Sequence, residues 1–445
     1  MPPPLEFFSF IGYLTAMQQS FQTLPWARST NVYEVNLRQY TPEGSFRAFR
    51  KEMPRLRDMG VEVLWFMPVT PISVKNRKGT LGSYYASADY TATNPEFGTL
   101  DDFRMVVQEA HGLGMKVIID WVANHTGWDH RWTTEHPEFY KQNSKGEFHD
   151  MHGWDDVIDL DYDNANMRMA MIDAMAFWVD RFDIDGFRCD MAMLTPVDFW
   201  MEARALLDRH KPLFWLAELD PWDNEAHMQV FDAAYTWKWM HTAKEYLQPW
   251  HRNMGQLDSV LMHYRSLQPK TMLHAWFTSN HDENSWNGTE YEKYGEMARP
   301  LAVFSCTWPG IPLIYSGQEL PSHKRLQFFD KDPIEWRGQP MLHDFYRRLL
   351  TLRSTHPALV SGGEDAWIHR VATSHDSQVF AFLRRSGGRE VLVLLNLCEY
   401  EHWDFTIRDE KVGGSFRELF SEAERDFSAD GNVGLKPWSH MVWVK

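Results

Sequence analysis

Eight short apolar segments, each of a length typical of a β-strand, alternate with segments of helical periodicity along most of this chain. The strand candidates are Asn31–Leu37, Val61–Pro68, Met115–Asp120, Asp185–Asp190, Leu213–Glu218, Phe231–Tyr235, Ala275–Asn280 and Ile311–Ser316. Alternating strands and helices are typical of parallel βαβ units, and eight such units close a (β/α)8 barrel. An open, doubly wound sheet is the alternative, but its glycine-rich GxGxxG loop does not occur in this sequence. We therefore predict an α/β protein built on a (β/α)8 TIM barrel.

Two segments depart from this alternation. Residues 121–163 are polar, aromatic and rich in histidine, and they are too numerous for an ordinary βα loop, which predicts a small inserted subdomain after the third strand. From about Gly362 the sequence shows short alternating strands separated by turn residues, which predicts a C-terminal antiparallel β-domain. The predicted domains are an N-terminal extension (1–26), a catalytic barrel (27–120 and 164–355), the inserted subdomain (121–163) and a C-terminal β-sandwich domain (356–445).

The charge of the chain limits its partners. Its 445 residues include 45 Lys and Arg against 61 Asp and Glu, which gives a net charge of −16. Such a field repels phosphate backbones and anionic lipids, so we expect neither nucleic acid nor a membrane surface as a partner. The 21 tryptophans fit either a large core or stacking on neutral sugars. The sequence does not indicate an oligomeric state.

The N-terminal sequence bears on the location of the protein, and the cysteines bear on disulfide and zinc binding. No uninterrupted apolar run approaches the roughly 18 residues of a transmembrane helix. No Lys or Arg precedes Arg28, whereas a secretory signal begins with a basic region, so we expect a cytoplasmic location. The three cysteines are far apart and predict neither a disulfide framework nor a zinc site.

Acidic residues stand at or just beyond the ends of four predicted strands. They are Asp120, Asp190, Glu218 and Asp282. In a (β/α)8 barrel the C-terminal ends of the strands carry the active site. A single Asp at such a place is usually a helix cap, but several carboxylates at one barrel mouth would repel one another unless the chemistry used them. The sequence therefore predicts a catalytic carboxylate cluster.

Glycoside cleavage requires such a set. A retaining mechanism uses an ionised carboxylate as nucleophile and a protonated carboxyl as acid, about 5–5.5 Å apart. Arg188 points to the same strand face as Asp190, two residues later, and would keep Asp190 ionised. The apolar run before Glu218 would keep that carboxyl protonated, as the acid must be.

Several sequence blocks together resemble the α-amylase superfamily of glycoside hydrolases. They are Asp120-Trp-Val-Ala-Asn124-His125, Gly186-Phe-Arg188-Cys-Asp190, Glu218 on the next strand, Asn280-His281-Asp282 and the segment 310–319 on the eighth strand. The resemblance spans nearly the whole barrel. It implies a retaining enzyme that acts on α-glucans, with a starch-like polysaccharide or oligosaccharide as the partner.

The resemblance implies a role for each matching acid. Asp190 would be the nucleophile, Glu218 the general acid/base, and Asp282 would bind the ring hydroxyls of the distorted sugar. We interpret Asp120 as an anchor for the loops and Cys189 as a core residue, because neither is placed to react.

Four further residues would bind the same sugar or hold the nucleophile. His125 and His281 would hydrogen-bond the sugar, and Arg188 would orient Asp190. Tyr85, four residues before Asp89-Tyr90, resembles the tyrosine that stacks on the sugar at subsite −1.

The sequence departs from calcium-dependent members of the family after the nucleophile. Those members combine the Asn of the first block with a Lys-His pair that follows the nucleophile block, but here Met191-Ala192-Met193-Leu194 follows Asp190. We therefore expect that no cofactor is required, no residue is assigned to a metal, and any bound calcium is structural. Met191 also matches neither the small residue common in α-1,4 enzymes nor the Val common in α-1,6 enzymes.

The leading functional prediction is hydrolysis of α-1,4-glucosidic bonds in starch or malto-oligosaccharides. A transglycosylase or an α-1,6-acting α-glucosidase could use the same residues. A non-catalytic sugar-binding barrel is a further alternative, but such a protein should lack one of the three acids, and all three are present.

Overall fold

The computed structural model of the chain describes residues 21–248, 250–267, 269, 272–362, 367–399 and 404–445. Most of the predicted N-terminal extension therefore lies outside the described residues. The strands up to residue 315 are β1 (Val32–Val35), β2 (Val63–Phe66), β3 (Lys116–Trp121), β4 (His125–Gly127), β5 (Val157–Asp159), β6 (Gly186–Cys189), β7 (Phe214–Ala217), β8 (Ala233–Tyr235), β9 (Leu273–Trp276) and β10 (Ile311–Tyr315). Eight of them close a barrel in the order β1-β10-β9-β8-β7-β6-β3-β2, and every pair is parallel. The predicted (β/α)8 barrel is confirmed.

One barrel strand differs in position from its prediction. The seventh strand is predicted at residues 275–280, but β9 covers Leu273–Trp276 and pairs with β10 only up to Trp276. Beyond it, polar side chains bond outside the ladder; for example, the Thr278 hydroxyl receives a hydrogen bond from the Gln318 amide at 2.9 Å. Asn280 therefore lies on a loop beyond the strand, and His281 and Asp282 begin the helical turn that follows it.

Helices connect the strands. The α-helices are Leu37–Tyr40, Phe46–Phe49, Met53–Met59, Leu100–Gly112, Trp132–Glu135, Ala165–Phe182, Val197–Leu207, Trp237–Tyr246, Met254–Ser266, Glu290–Tyr294, Ala298–Thr307 and His343–Thr355. Thr99 and Asp102 form a reciprocal capping box at the start of Leu100–Gly112. A 3-10 turn interrupts the helical segment before Pro54, which lies in the first turn of Met53–Met59, where its missing N–H costs no hydrogen bond. None of the helices within the described residues is long and apolar enough to cross a membrane.

Gly186 allows β6 and β7 to approach closely. Its φ is 155°, and a Cβ at this position would lie 1.9 Å from the carbonyl oxygen of Phe214 on β7. A side chain there would push the two strands apart. The glycine therefore brings the end of β6, with Asp190, beside the end of β7, with Glu218.

The remaining strands form small sheets outside the barrel. β4 and β5 pair antiparallel within residues 121–163. The C-terminal strands are β11 (Trp367–Arg370), β12 (Val379–Ser386), β13 (Arg389–Asn396), β14 (Asp404–Thr406), β15 (Ser415–Glu418), β16 (Glu424–Asp426), β17 (Asn432–Gly434) and β18 (His440–Val444). They form an antiparallel sheet in the order β11-β12-β13-β18-β15-β16 and a second pair, β14-β17, so the predicted C-terminal antiparallel β-domain is confirmed. Phe405 and Val433 of the small pair pack in one buried cluster with residues of the large sheet.

Candidate active site

A single guanidinium gathers three of the predicted acids. Arg188, on β6, is fully buried, and its Nη1 lies 2.9 Å from the Asp120 carboxylate and 2.8 Å from the Asp190 carboxylate. Its Nη2 lies 2.8 Å from the Glu218 carboxylate. Its Nε donates to the Tyr235 hydroxyl on β8 at 3.3 Å. The same guanidinium therefore holds the carboxylates of Asp190 and Glu218 close to each other.

The side chains of the three acids differ in their exposure. The Asp120 side chain is 0% exposed, and it accepts hydrogen bonds from the Trp65 indole and the Tyr85 hydroxyl, both at 3.2 Å. The side chains of Asp190 and Glu218 are 7% and 6% exposed, at the mouth of the barrel. Asp120 is thus closed off and holds Arg188 and its neighbours, whereas Asp190 and Glu218 can meet a substrate.

The electrostatics of this cluster are those of crowded, buried carboxylates. Burial, together with the neighbouring Glu218 carboxylate, raises the pKa of Asp190 well above its usual range, although Arg188 acts to lower it. Burial likewise raises the pKa of Asp120 to about 6. Arg188 therefore lowers the pKa of Asp190 by less than burial and Glu218 together raise it.

Met191, the residue after Asp190, contacts Glu218 through its backbone. Met191 has a left-handed backbone conformation with φ 38°, which is uncommon for a residue with a side chain. In this conformation its N–H donates to the Glu218 carboxylate at 2.8 Å. Strained residues of this kind cluster at functional sites. Met191 therefore matters here through its backbone, which positions Glu218.

His281 and Asp282 form a second charged group beside the cluster. His281 Nδ1 lies 2.5 Å from the Glu34 carboxylate, and its Nε2 lies 2.6 Å from the Tyr85 hydroxyl and 3.3 Å from Asp282. Burial disfavours the charged imidazole, but the carboxylates of Asp282 and Glu34 outweigh it and raise the pKa of His281 well above its usual value. The Tyr85 ring also stacks on the imidazole, with centroids 5.4 Å apart. These carboxylates therefore favour the charged form of His281, whose ring nitrogens face Glu34 on one side and Tyr85 and Asp282 on the other.

His125 lies apart from these groups. It begins β4, its Nδ1 is 3.2 Å from the Asn124 amide, and its ring meets Trp154 edge to face at 5.4 Å. Burial lowers the pKa of His125 to about 4, so the ring is neutral at pH 7. Within the described residues, none of its hydrogen bonds reaches the three acids. Tyr85 thus bonds directly to the cluster and His281 is joined to it through Tyr85, whereas the described contacts of His125 do not join it to the cluster.

Several residues of the site were not predicted. Glu34 carries a signal that could have found it, because it is a lone acid in the middle of the buried strand β1. Trp65 and Tyr235 lie within apolar strand segments, where nothing separates a site residue from a core residue. Phe328 lies in a loop after β10 and stacks on Tyr85 with centroids 6.2 Å apart. No pattern in the sequence of this loop indicates that Phe328 belongs to a site.

Three carboxylates of the inserted segment, Asp155, Asp156 and Asp159, have cationic or amide partners. Lys78 lies 2.9 Å from Asp155 and 2.8 Å from Asp156. Asp159 accepts from the Asn124 amide at 3.4 Å and lies 3.9 Å from the Lys141 ammonium. In the described part of the chain, no three His, Cys, Asp or Glu side chains cluster as a metal site would require. These residues do not fit a calcium ion, which takes six to eight oxygen ligands.

The fold is a closed parallel (β/α)8 barrel, and two neighbouring carboxyl groups lie at its strand ends. This arrangement is typical of (β/α)8 proteins that act on glycosidic bonds. The family described as "Alpha amylase, catalytic domain" matches residues 39–154 and 140–335, more than half of the chain. The chain belongs to the alpha-amylase family, and the predicted resemblance is confirmed.

Individual relatives agree with this placement. The chain is 25% identical over 403 residues to an alpha-amylase of Haloarcula japonica, covering 86% of this chain but only 58% of that relative. Among solved structures, it resembles an alpha-amylase from Lactobacillus plantarum, with 28% identity, a TM-score of 0.84, and 95% and 100% of the two chains covered. It also resembles a noncanonic maltogenic alpha-amylase from Thermotoga neapolitana, with 28% identity, a TM-score of 0.83, and 94% and 99% covered.

Proposed function

We propose that this protein is a retaining glycoside hydrolase that cleaves α-1,4-glucosidic bonds of starch or malto-oligosaccharides. The observation that carries the proposal is the pair Asp190 and Glu218, which are bound to one guanidinium and are both reachable from the barrel mouth. Double displacement at a sugar carbon requires one carboxylate as nucleophile and one carboxyl group as acid, close to each other. The solved alpha-amylases that this chain resembles support the choice of an α-glucan.

The proposed reaction has two steps. Asp190 attacks the anomeric carbon while Glu218 gives its proton to the glycosidic oxygen, so the bond to the leaving sugar breaks and a glycosyl-aspartate forms. The Glu218 carboxylate then removes a proton from water, whose oxygen attacks the same carbon and releases Asp190. Glu218 ends protonated and Asp190 ionised, as they began, so the cycle balances.

The neighbouring residues would hold the reacting sugar. We assign the sugar of subsite −1 to Tyr85, His281 and Asp282, with the charged His281 donating to a ring hydroxyl and Asp282 accepting from one. Arg188 holds Asp190 in place and, because it is fully buried, does not touch the sugar. His125 belongs to this set only as an extension of the family resemblance.

The stereochemistry of the first-formed product tests the mechanism. Double displacement inverts the anomeric carbon twice, so hydrolysis of maltotriose is expected to release the α-anomer first. Proton NMR during the first minutes, before mutarotation, distinguishes the two anomers. An initial β-anomer would exclude Asp190 as a covalent nucleophile.

Linkage and acceptor choice need a second measurement. A sugar hydroxyl can replace water in the second step, which would make the enzyme a transglycosylase without any change of residues. Chromatography of the products from amylose, pullulan and maltotriose, at low and high acceptor concentration, separates hydrolysis from transfer and α-1,4 from α-1,6 cleavage. Longer products at low acceptor concentration would favour the transglycosylase.

Chelation is expected to have little effect. Because Asp155, Asp156 and Asp159 already pair with lysines and an amide, EDTA should leave kcat within about twofold and shift Tm by no more than about 2 °C. Activity and thermal unfolding are measured before and after dialysis against EDTA, with added CaCl2 as the control. A collapse of activity that calcium restores would contradict the expectation.

A further inference from the structure

Trp286 is exposed although it lies beside the candidate active site. Its side chain is 53% exposed, on the turn Glu283–Asn287 that directly follows Asp282. Its ring centroid is 5.3 Å from that of Phe328 and 5.7 Å from that of Phe329, and Phe328 in turn stacks on Tyr85 at 6.2 Å. We call Tyr85, Phe328, Trp286 and Phe329 the aromatic wall. It runs without a break from the reacting centre to solvent.

Buried polar groups hold this wall in place. The Asn284 side chain donates to the carbonyl of Lys324 at 3.1 Å and accepts from the N–H of Leu326 at 2.9 Å, which joins the turn of Trp286 to the loop of Phe328. The fully buried Gln39 amide donates to the carbonyls of Gln327 at 2.9 Å and Asp330 at 2.7 Å. The loop on both sides of Phe328 and Phe329 is thus ordered before any ligand binds. Binding therefore loses less conformational entropy than it would with a flexible loop.

The chemistry of the wall suits a sugar. A single exposed aromatic residue needs no explanation, but a continuous set of rings beside a reaction centre indicates a ligand. An aromatic face covers the apolar face of a pyranose, while polar groups at its edge take the hydroxyls. Asp282 lies directly before the turn Glu283–Asn287 that carries Trp286, so a carboxylate that can accept from a sugar hydroxyl is close in the chain to the ring.

We propose that Trp286, supported by Phe328, is a binding platform for a second glucose unit, next to the one that Asp190 attacks. This inference rests on the proposed function, because it takes an α-glucan as the ligand. It makes Trp286 a determinant of chain-length preference, since only a substrate of two or more sugar units reaches it.

A merely structural role for Trp286 would act through Asp282. In that case the indole N–H is the important group, and the ring face is not. Trp286→Phe keeps an aromatic face and removes the N–H, whereas Trp286→Ala removes both. The two variants therefore separate stacking from positioning.

The test is calorimetric binding of maltotriose to protein carrying Glu218→Gln, which prevents turnover. Adding Trp286→Ala is expected to weaken binding about tenfold, and adding Trp286→Phe less than about threefold. Trp250→Ala is the matched control, because Trp250 is 79% exposed in the connection between the helices Trp237–Tyr246 and Met254–Ser266, and it should leave binding unchanged. Circular dichroism confirms that each variant is folded.

Three outcomes would overturn the platform: no maltotriose binding at all, binding in Trp286→Ala within twofold of its parent, or an equal loss in the Ala and Phe variants. Hydrolysis of maltotriose by the unaltered protein is measured separately. Binding that depends on Trp286 without any hydrolysis would support the platform and refute the proposed function. Hydrolysis of maltotriose together with binding that does not depend on Trp286 would refute the platform and support the proposed function.

Discussion

Asp190→Ala and Glu218→Gln are each expected to lower hydrolysis of malto-oligosaccharides by about 10³-fold or more, because each removes a group that forms or breaks a bond. The free energy of unfolding should change little in either variant. Burial raises the pKa of Asp190, so folding disfavours its ionised carboxylate, and removing that carboxylate costs little stability. Steady-state rates on maltotriose and urea unfolding curves measure the two effects.

A substrate with a good leaving group separates the two roles. Such a group needs little protonation, so the first step should be partly restored in Glu218→Gln but not in Asp190→Ala. Asp101→Ala, which removes an exposed acid on the helix Leu100–Gly112, is the control and should keep full activity. Near-normal hydrolysis of maltotriose by either active-site variant would refute its assignment.

Arg188→Met is expected to lower the free energy of unfolding by about 3–5 kcal/mol at pH 7, and to abolish activity as well. Three carboxylates contact this buried guanidinium, and removal of the cation leaves them buried without a counter-charge. Arg337→Met is the control, since this exposed arginine pairs with an exposed glutamate and should contribute less than about 1 kcal/mol. Urea unfolding of both variants measures the difference.

The loss should depend on pH in a defined direction. Without Arg188, which lowers the pKa values of Asp120 and Asp190, those values rise further above the value of about 3.9 for an unfolded Asp. The folded variant then binds more protons than the unfolded chain, so its stability is retained at low pH and lost as pH rises through the raised values. The destabilisation relative to the unaltered protein should therefore be smaller at pH 5 than at pH 8. An equal loss at both values, or a larger one at pH 5, would contradict the electrostatic account.

Local patterns were sufficient to predict the barrel. Apolar segments of strand length depend on near neighbours in the chain, and their alternation with helices allows few topologies. The acids at the strand ends follow from that topology, because parallel strands present their C-terminal ends at one face. The position of β9 shows where prediction from local patterns fails. Residues 277–280 look like a strand, but their polar groups bond to other loops.

The sequence alone determined the barrel, the C-terminal β-domain and the places of Asp190 and Glu218 just after two strands, because strand periodicity and strand-end position are local properties of a chain. Only the tertiary structure decided which charges share a partner. Glu34 meets His281 across 247 residues of sequence, and Arg188 is shared among acids of three strands. Their pKa values depend on burial and on charges brought together from distant segments, and no local pattern encodes that distance. The same holds for Trp286 and Phe328, whose rings meet only because two loops close over one face of the barrel.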